Sequence, residues 1–130
     1  MSEVRVVHIV DDDEPVRTAL SFALETAGIC TIVYASSADF LARGRGRLGV
    51  LISDVRMKGM NGLELTRLLR TEGSVMPIIL MTGYNDALLR NAAADAGADM
   101  VIEKPVPLSV ISTEIARMNA GGCGLAHPSR

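Results

Sequence analysis

Short apolar runs alternate along the chain with longer stretches in which apolar residues recur at helical spacing. The short runs are rich in β-branched residues, which is typical of strands that are covered on both faces. Five of them predict strands over 4–10, 30–35, 50–53, 77–81 and 100–102. The longer stretches predict five helices, which begin near Pro15, Ala38, Asn61, Asn85 and Val106. Strict alternation of strand and helix indicates an α/β fold, with a parallel sheet, right-handed crossovers and helices on both faces.

Local signals mark some of the helix ends. Asn61, with Glu64 three residues later, has the form of a capping box at the start of the third helix. Gly97 follows the fourth periodic stretch and predicts its end. The segment "AGGCGLAHPSR" at the end of the chain is rich in glycine. We therefore expect one domain over 1–119 and a flexible tail over 120–130.

The unusual polar residues fall at the carboxyl ends of predicted strands. They are Asp11, Asp12 and Asp13 after the first strand, Asp54 after the third, Thr82 after the fourth and Lys104 after the fifth. In open α/β sheets, ligands bind beyond these strand ends, near the point where strand order reverses. If the first, third, fourth and fifth strands are neighbours, these side chains converge on one crevice.

The clustered acids predict a cation site. Two or three carboxylates in one crevice raise each other's pKa, and a hard divalent cation relieves the repulsion. Mg²⁺ suits such a site because it accepts few protein oxygens, keeps several waters and bridges to phosphate. A remaining carboxylate could then attack a phosphoryl group whose oxygens are bound by a lysine and a threonine hydroxyl. The product would be an acyl phosphate on an aspartate.

Composition and charge exclude several other functions. Of the 130 residues, 48% are apolar and 22% are charged, as in an ordinary globular domain. The formal net charge of −2 gives no whole-molecule attraction to nucleic acid, and the apolar runs are too short to cross a bilayer. The two cysteines, Cys30 and Cys123, do not have metal-site spacing, and we expect a cytoplasmic protein.

Four motifs, "VDDDEP", "SDVRMKGMNG", "MTGY" and "EKP", occur in this order along the chain. With them the chain resembles the receiver domain of two-component response regulators, in the CheY-like superfamily, over about residues 4–118. The wording "VHIVDDDEPVR" is most similar to receivers of the FixJ/LuxR-type output family, which precede DNA-binding domains. The resemblance implies a flavodoxin-like, doubly wound five-stranded parallel sheet with strand order 2-1-3-4-5, five helices and three layers.

The resemblance also assigns an acceptor and a metal site. Asp54 matches the residue that accepts the phosphoryl group, and it is also one of the implied metal ligands. Asp12 matches the direct Mg²⁺ ligand, and Asp11 matches an acid that contacts the metal chiefly through water. Arg56 matches the position whose backbone carbonyl completes the metal site. The implied cofactor is therefore Mg²⁺.

Two further residues and the partners are implied in the same way. Thr82 matches the switch hydroxyl that turns toward the phosphate, and Lys104 matches the family's lysine, with a cis Lys104–Pro105 peptide bond. The implied phosphoryl donor is a sensor histidine kinase or a phosphotransfer protein. A downstream protein target or a second copy of the chain would receive the signal, and neither nucleic acid nor a membrane is expected to bind directly.

The chain departs from the family pattern at three positions. Lys58 stands where a proline usually follows the methionine, which predicts a more mobile loop after Asp54. Val101 occupies the usual aromatic switch position, and Val106 replaces the common phenylalanine after "KP". A valine cannot swing between buried and exposed rotamers as an aromatic ring does, so the usual readout on the fourth helix, fifth strand and fifth helix is in question.

Other polar residues have mainly structural interpretations. Asp13 is expected to be a helix cap or a solvated acid. His8 lies inside a predicted strand and is expected to be hydrogen-bonded there rather than to carry a phosphoryl group. The arginines of 43–47 are expected to form a solvated face. Tyr84 either screens the phosphoryl site from water or packs on the surface.

Two other functions compete with the phosphoacceptor. A haloacid-dehalogenase-like phosphatase also uses an aspartyl nucleophile, but in that class it follows the first strand in a D-x-D-x-[TV] pattern, whereas Pro15 takes the last position here. A receiver that binds its partner without phosphorylation is favoured by Val101 and disfavoured by the complete set of acids and lysine. The 130 residues contain no output domain, so a stand-alone protein and a piece of a LuxR-type transcription factor both stay open.

Overall fold

Five short parallel strands form the centre of the computed structural model, which describes residues 6–119. The strands are β1 (Val6–Val10), β2 (Thr31–Tyr34), β3 (Gly49–Asp54), β4 (Ile78–Thr82) and β5 (Met100–Glu103). The helices are α1 (Glu14–Thr26), α2 (Ser37–Arg43), α3 (Gly62–Thr71), α4 (Ala87–Ala96) and α5 (Leu108–Asn119). The predicted alternation of strand and helix is confirmed.

The strand order is β2-β1-β3-β4-β5, as the resemblance implied. Every neighbouring pair is parallel, and Val10 lies opposite both Tyr34 of β2 and Ser53 of β3. The order therefore reverses at β1 and β3, which places the residues after these two strands side by side at one edge of the sheet. This is the edge at which ligands bind in doubly wound folds.

Apolar side chains of the strands alternate between two core clusters, one on each face of the sheet. The cluster under α1 and α5 contains Val7, Ile9, Leu20, Leu24, Val50, Ile52, Ile79, Met81, Ile102, Ile111 and Ile115. The cluster under the other three helices contains Val10, Tyr34, Phe40, Leu51, Val55, Leu65, Leu69, Ile78, Leu80 and Ala93. Burial of a large apolar side chain stabilises the fold by about 1.5–3 kcal/mol. Because both faces are covered, the central strands read as continuous apolar runs.

Two predicted helix boundaries are confirmed, and the fourth and fifth helices each begin two residues later than predicted, the fifth at Leu108 rather than Val106. Asn61 and Glu64 form the predicted capping box, with both reciprocal bonds at 2.9 Å, and Gly97 ends α4 in the left-handed region at φ 104°. The fourth helix begins at Ala87 rather than Asn85, because the side chain of Asp86 accepts the Leu89 N–H at 2.8 Å and caps the helix there. The predicted tail over 120–130 lies outside the described residues, and so do the first two residues of the first predicted strand.

The strand histidine has a structural role, as predicted. His8 is fully buried in β1. Its Nδ1 lies 2.8 Å from the Tyr34 hydroxyl and its Nε2 lies 3.3 Å from the Leu48 carbonyl. Burial lowers the pKa of His8, and the neutral tautomer that satisfies both contacts carries its proton on Nε2.

Two of the arginines at the end of α2 and just after it form ion pairs and a ring contact within the same chain. Arg43 Nε lies 2.7 Å from Asp39 Oδ1, and its guanidinium stacks 4.7 Å from the centre of the Tyr34 ring. Arg45 forms a surface ion pair with Glu72 at 3.2 Å. These contacts agree with a solvated face. Within residues 6–119, no helix combines the length and apolar character needed to cross a membrane.

Gly62 lets α3 approach the end of β3. A Cβ at this residue would lie 2.4 Å from the backbone oxygen of Asp54, whereas one at Gly83 would meet nothing within 4 Å. Gly62→Ala is therefore expected to lower the free energy of unfolding by about 1–3 kcal/mol, as overpacking does, and Gly83→Ala is the matched control. Urea unfolding measures both, and equal stability of the two variants would contradict the steric argument.

Candidate functional site

Three carboxylates meet at the edge of the sheet where strand order reverses. Asp11 directly follows β1 and Asp54 ends β3, and their neighbours Val10 and Ser53 lie opposite one another. One carboxylate oxygen from each of Asp11, Asp12 and Asp54 lies within 4.8 Å of the other two. Asp11 is fully buried, Asp54 is 7% exposed and Asp12 is exposed. The predicted convergence of the acids is therefore confirmed.

Lys104 joins this cluster from the end of β5. Its Nζ lies 3.2 Å from Asp54 Oδ1 and 3.4 Å from Asp11 Oδ2, and its side chain is 26% exposed. Its backbone N–H donates to the Thr82 carbonyl at 2.7 Å, which continues the β4–β5 pairing one residue beyond the strand. The Lys104–Pro105 bond is cis, as the resemblance implied.

The pKa values of Asp54 and Lys104 are both raised in this cluster. Burial raises the pKa of the Asp54 carboxyl, the nearby Asp11 raises it further, and the attraction of Lys104 opposes both without cancelling them. Burial alone would lower the pKa of Lys104, but its two carboxylate neighbours outweigh this effect and raise it. One ammonium group therefore does not neutralise the carboxylates, and the site retains an excess of negative charge.

A backbone N–H of the β1–α1 loop orients the Asp11 carboxylate, and a side chain of α1 binds the Asp11 backbone. The Asp13 N–H donates to Asp11 Oδ1 at 2.9 Å, and Arg17 Nη1 donates to the Asp11 carbonyl at 3.1 Å. Asp13 is the N-cap of α1 and accepts the Val16 N–H at 3.3 Å, as predicted. The contact of Arg17 was not expected, because nothing in its spacing distinguishes it from other surface arginines.

Asp12 is held by a residue on a different loop. The backbone N–H of Lys58, in the β3–α3 loop, donates to Asp12 Oδ2 at 3.1 Å. This loop was expected to be more mobile because Lys58 replaces a proline. The replacement also makes the bond to Asp12 possible, because a proline has no N–H to donate. Arg56 is exposed on the same loop, and the assignment of its carbonyl to the metal stays a prediction.

Thr82 lies beside the acids along the sheet, but its hydroxyl has another partner. The side chain is 2% exposed, and alternation along β4 places it with Ile78 and Leu80 on the face under α3 and α4. Its hydroxyl donates to the Tyr84 carbonyl at 3.2 Å and accepts the Tyr84 N–H at 3.1 Å. In this state the hydroxyl fixes the β4–α4 loop.

The two valines that replace the family's usual aromatic residues lie on opposite faces of the sheet. Val101 is half-buried against the cluster under α2, α3 and α4, and Val106 packs against the cluster under α1 and α5. The Tyr84 side chain is 67% exposed and lines a groove of about 580 Å³ between α3 and α4, together with Thr82 and Leu88. Surface exposure of Tyr84 agrees with the second of its two predicted roles.

The donor set fits a hard divalent cation. All three side chains offer carboxylate oxygens, which such cations prefer over nitrogen and sulfur ligands. Among residues 6–119, Lys104 is the one cation that pairs with these carboxylates, so net negative charge remains for a metal ion to neutralise. A carboxylate with a raised pKa beside a lysine is also the arrangement in which one oxygen can act as a nucleophile toward a phosphoryl group.

A family model described as "Response regulator receiver domain" matches residues 7–116. The chain belongs to the response regulator receiver family. This receiver is 42% identical over 106 residues to the transcriptional regulatory protein FixJ of Azorhizobium caulinodans, covering 81% of this chain and 50% of that protein. It is 45% identical over 102 residues to the C4-dicarboxylate transport transcriptional regulatory protein DctR of Rhodobacter capsulatus, covering 76% of this chain and 52% of that protein. The receiver thus spans about half the length of these relatives.

Solved structures agree with the fold and the family. The receiver superposes on the crystal structure of FixJ-N with a TM-score of 0.82 and 40% identity, covering 92% of this chain and 96% of that one. It superposes on the chemotaxis protein CheY4 of Vibrio cholerae with a TM-score of 0.82 and 26% identity, covering 89% of this chain and 99% of that one. The flavodoxin-like fold and the function as a two-component receiver are therefore established, and the phosphatase interpretation is set aside.

The raised pKa of Asp54 predicts a pH-dependent cost to stability. Because the folded receiver binds a proton at this carboxyl more readily than the unfolded chain does, the charged form destabilises the fold at neutral pH. The cost disappears below the ordinary aspartate pKa of about 3.9. Asp54→Asn should therefore be more stable than wild type at neutral pH in the presence of a metal chelator, and the advantage should shrink as the pH falls.

Urea unfolding at a series of pH values measures this difference. Asp95→Asn, which changes an exposed carboxylate on α4, is the control and should show little change. A stability advantage of Asp54→Asn that grows toward low pH would contradict the assigned direction of the pKa shift.

Proposed function

We propose that this receiver accepts a phosphoryl group on Asp54 in a Mg²⁺-dependent reaction. The observation that carries the proposal is the pairing of Asp54 with Lys104 at 3.2 Å, beside two further carboxylates whose ligand atoms lie within 4.8 Å. The donor is a phosphohistidine of a sensor histidine kinase or a phosphotransfer protein. We place the reaction in the cytoplasm.

The residues of the chain divide the work of the transfer. An Asp54 oxygen forms the new bond to phosphorus, the bond from phosphorus to the donor imidazole nitrogen breaks, and that nitrogen retains the electron pair. Asp11, Asp12 and the Arg56 carbonyl would hold the cation, which when bound neutralises charge on the phosphoryl oxygens. Lys104 can keep one bond to Asp11 while its ammonium group pairs with a phosphoryl oxygen. Positioning and charge neutralisation account for most of the catalysis in such transfers.

The same residues assist both formation and hydrolysis of the acyl phosphate, so the domain contributes catalysis without being an enzyme that turns over a separate substrate. In a longer protein, the receiver would regulate an attached DNA-binding domain, as the names of its transcriptional regulatory relatives suggest. A downstream protein or a second copy of the chain would bind the phosphorylated form. Nucleic acid and membranes would not contact the receiver itself.

Treatment with acetyl phosphate and Mg²⁺ tests the acceptor directly. Intact-protein mass spectrometry is expected to find one added phosphoryl group on the wild type, none on Asp54→Asn and none when a chelator removes the metal. Asp13→Asn is the matched control, because an asparagine caps a helix as well as an aspartate does and should be phosphorylated like the wild type. An undiminished adduct on Asp54→Asn would refute the assignment of Asp54.

Movement of Thr82 toward the phosphate predicts a measurable change at Tyr84. The hydroxyl cannot keep both of its bonds to the Tyr84 backbone while it turns toward a new phosphoryl oxygen. Phosphorylation should therefore speed hydrogen exchange of the Tyr84 amide by about fivefold or more, the equivalent of one neutral hydrogen bond of about 1 kcal/mol.

Two substitutions at Thr82 test whether the hydroxyl itself causes the change at the Tyr84 amide. Thr82→Val lacks the hydroxyl, so its Tyr84 amide should already exchange fast before phosphorylation and change little after it. Thr82→Ser retains the hydroxyl and should behave like the wild type. A Thr82→Val protein with the full wild-type response at Tyr84 would show that the loop moves for another reason.

A further inference from the structure

Asp12 is tied to the rest of the site through one backbone amide. The Lys58 N–H that binds Asp12 Oδ2 at 3.1 Å comes from a residue 46 positions later in the chain. The bond connects the loop after β1 with the loop after β3 directly across the acid cluster. Both residues are exposed, so neither is fixed there by burial.

Each of the three acids has at least one donor within the site. Asp11 accepts the Asp13 N–H and pairs with Lys104, and Asp54 pairs with Lys104. For Asp12, Lys58 provides the corresponding donor. A backbone N–H orients a carboxylate through a charge-assisted bond without bringing another full positive charge into a site that must bind a cation.

The chemistry of the bond leaves the metal function intact. A carboxylate has two oxygens, so Asp12 can accept the Lys58 N–H on Oδ2 and still offer the other oxygen to a cation. Donors of this kind, which bind a metal ligand rather than the metal, fix the ligand's rotamer and strengthen metal binding. The exposed side chain of Asp12 would otherwise have to lose its rotamer freedom when the cation binds.

We propose that the backbone amide of Lys58 is a positioning group for the cation site, and that through this bond the order of the β3–α3 loop and occupancy of the site are coupled. The inference rests on the proposed metal site. By linkage, a cation that binds the oriented Asp12 stabilises the loop, and a loop that holds Asp12 strengthens cation binding by the same factor. In this chain the group at position 58 that binds Asp12 is the backbone N–H, which every residue except proline can supply.

Two substitutions at one position separate the amide from the side chain. Lys58→Pro removes the N–H, and Lys58→Ala retains it while removing the lysine charge. In a Mg²⁺ titration followed by NMR, Lys58→Pro should bind Mg²⁺ about tenfold more weakly than wild type. Lys58→Ala should remain within about twofold, because an exposed charge contributes little. An ester in place of the Met57–Lys58 amide removes the N–H without the proline ring and should reproduce the weaker binding.

A second readout needs no metal. In the metal-free receiver, hydrogen exchange at the residue 58 amide should be slowed in wild type and in Lys58→Ala, and this protection should be lost in Asp12→Ala. Fast exchange at residue 58 in all three proteins would overturn the bond itself.

The outcomes distinguish this inference from the proposed function. If wild type and both N–H-deficient proteins bind Mg²⁺ equally well, the positioning role is overturned and the metal site stands. If wild type binds no Mg²⁺, the metal-dependent function fails, and the positioning role fails with it. Weaker binding by Lys58→Ala, equal to that of Lys58→Pro, would assign the effect to the lysine charge and would also overturn the proposal.

Discussion

The repulsion among three carboxylates at the reversal point of the sheet is the constraint on which the rest of this receiver depends. Asp11 and Asp54 are buried beside one another, and a single ammonium group, that of Lys104, pairs with both. Such a cluster lowers stability unless a cation neutralises part of its charge. The fold tolerates it because two large apolar clusters, one on each face of the sheet, hold the strands whose ends carry the acids.

The groups that compensate this repulsion come from three different segments of the chain, which follow β1, β3 and β5. The loop after β1 orients Asp11, the loop after β3 supplies the N–H that binds Asp12, and Lys104 enters from the end of β5. The backbone N–H of Lys104 also binds the Thr82 carbonyl at the end of β4. A change of charge at Asp54 is therefore felt by the segments that supply these groups, while the strands beneath are held by the core.

What could be predicted from the sequence depended on signals local to each residue. The capping box of Asn61 and Glu64 and the N-cap role of Asp13 were correct, because each involves a bond between residues three apart. The convergence of the acids was predicted because parallel strands bring their carboxyl ends to one edge. The bond from Lys58 to Asp12 was not, because it joins two loops 46 residues apart and depends on a backbone group that carries no sequence signal.

The hydrogen-bond partner of the Thr82 hydroxyl could not be predicted from the sequence either. That partner matters for how phosphorylation at the site could change the surface of the receiver. Val101, at the position where the family usually has an aromatic ring, is half-buried against apolar neighbours, and a valine has no ring that could swing between buried and exposed rotamers. The Thr82 hydroxyl instead bonds to both the carbonyl and the N–H of Tyr84, and both residues line the groove between α3 and α4. If the Thr82 hydroxyl turns toward a phosphoryl group as proposed, it gives up both bonds to Tyr84, and the exposed ring on the β4–α4 loop is the aromatic group that this change would reach. On this proposal, the change at the surface would follow from the loss of these two hydrogen bonds, without a rotation of a side chain at position 101.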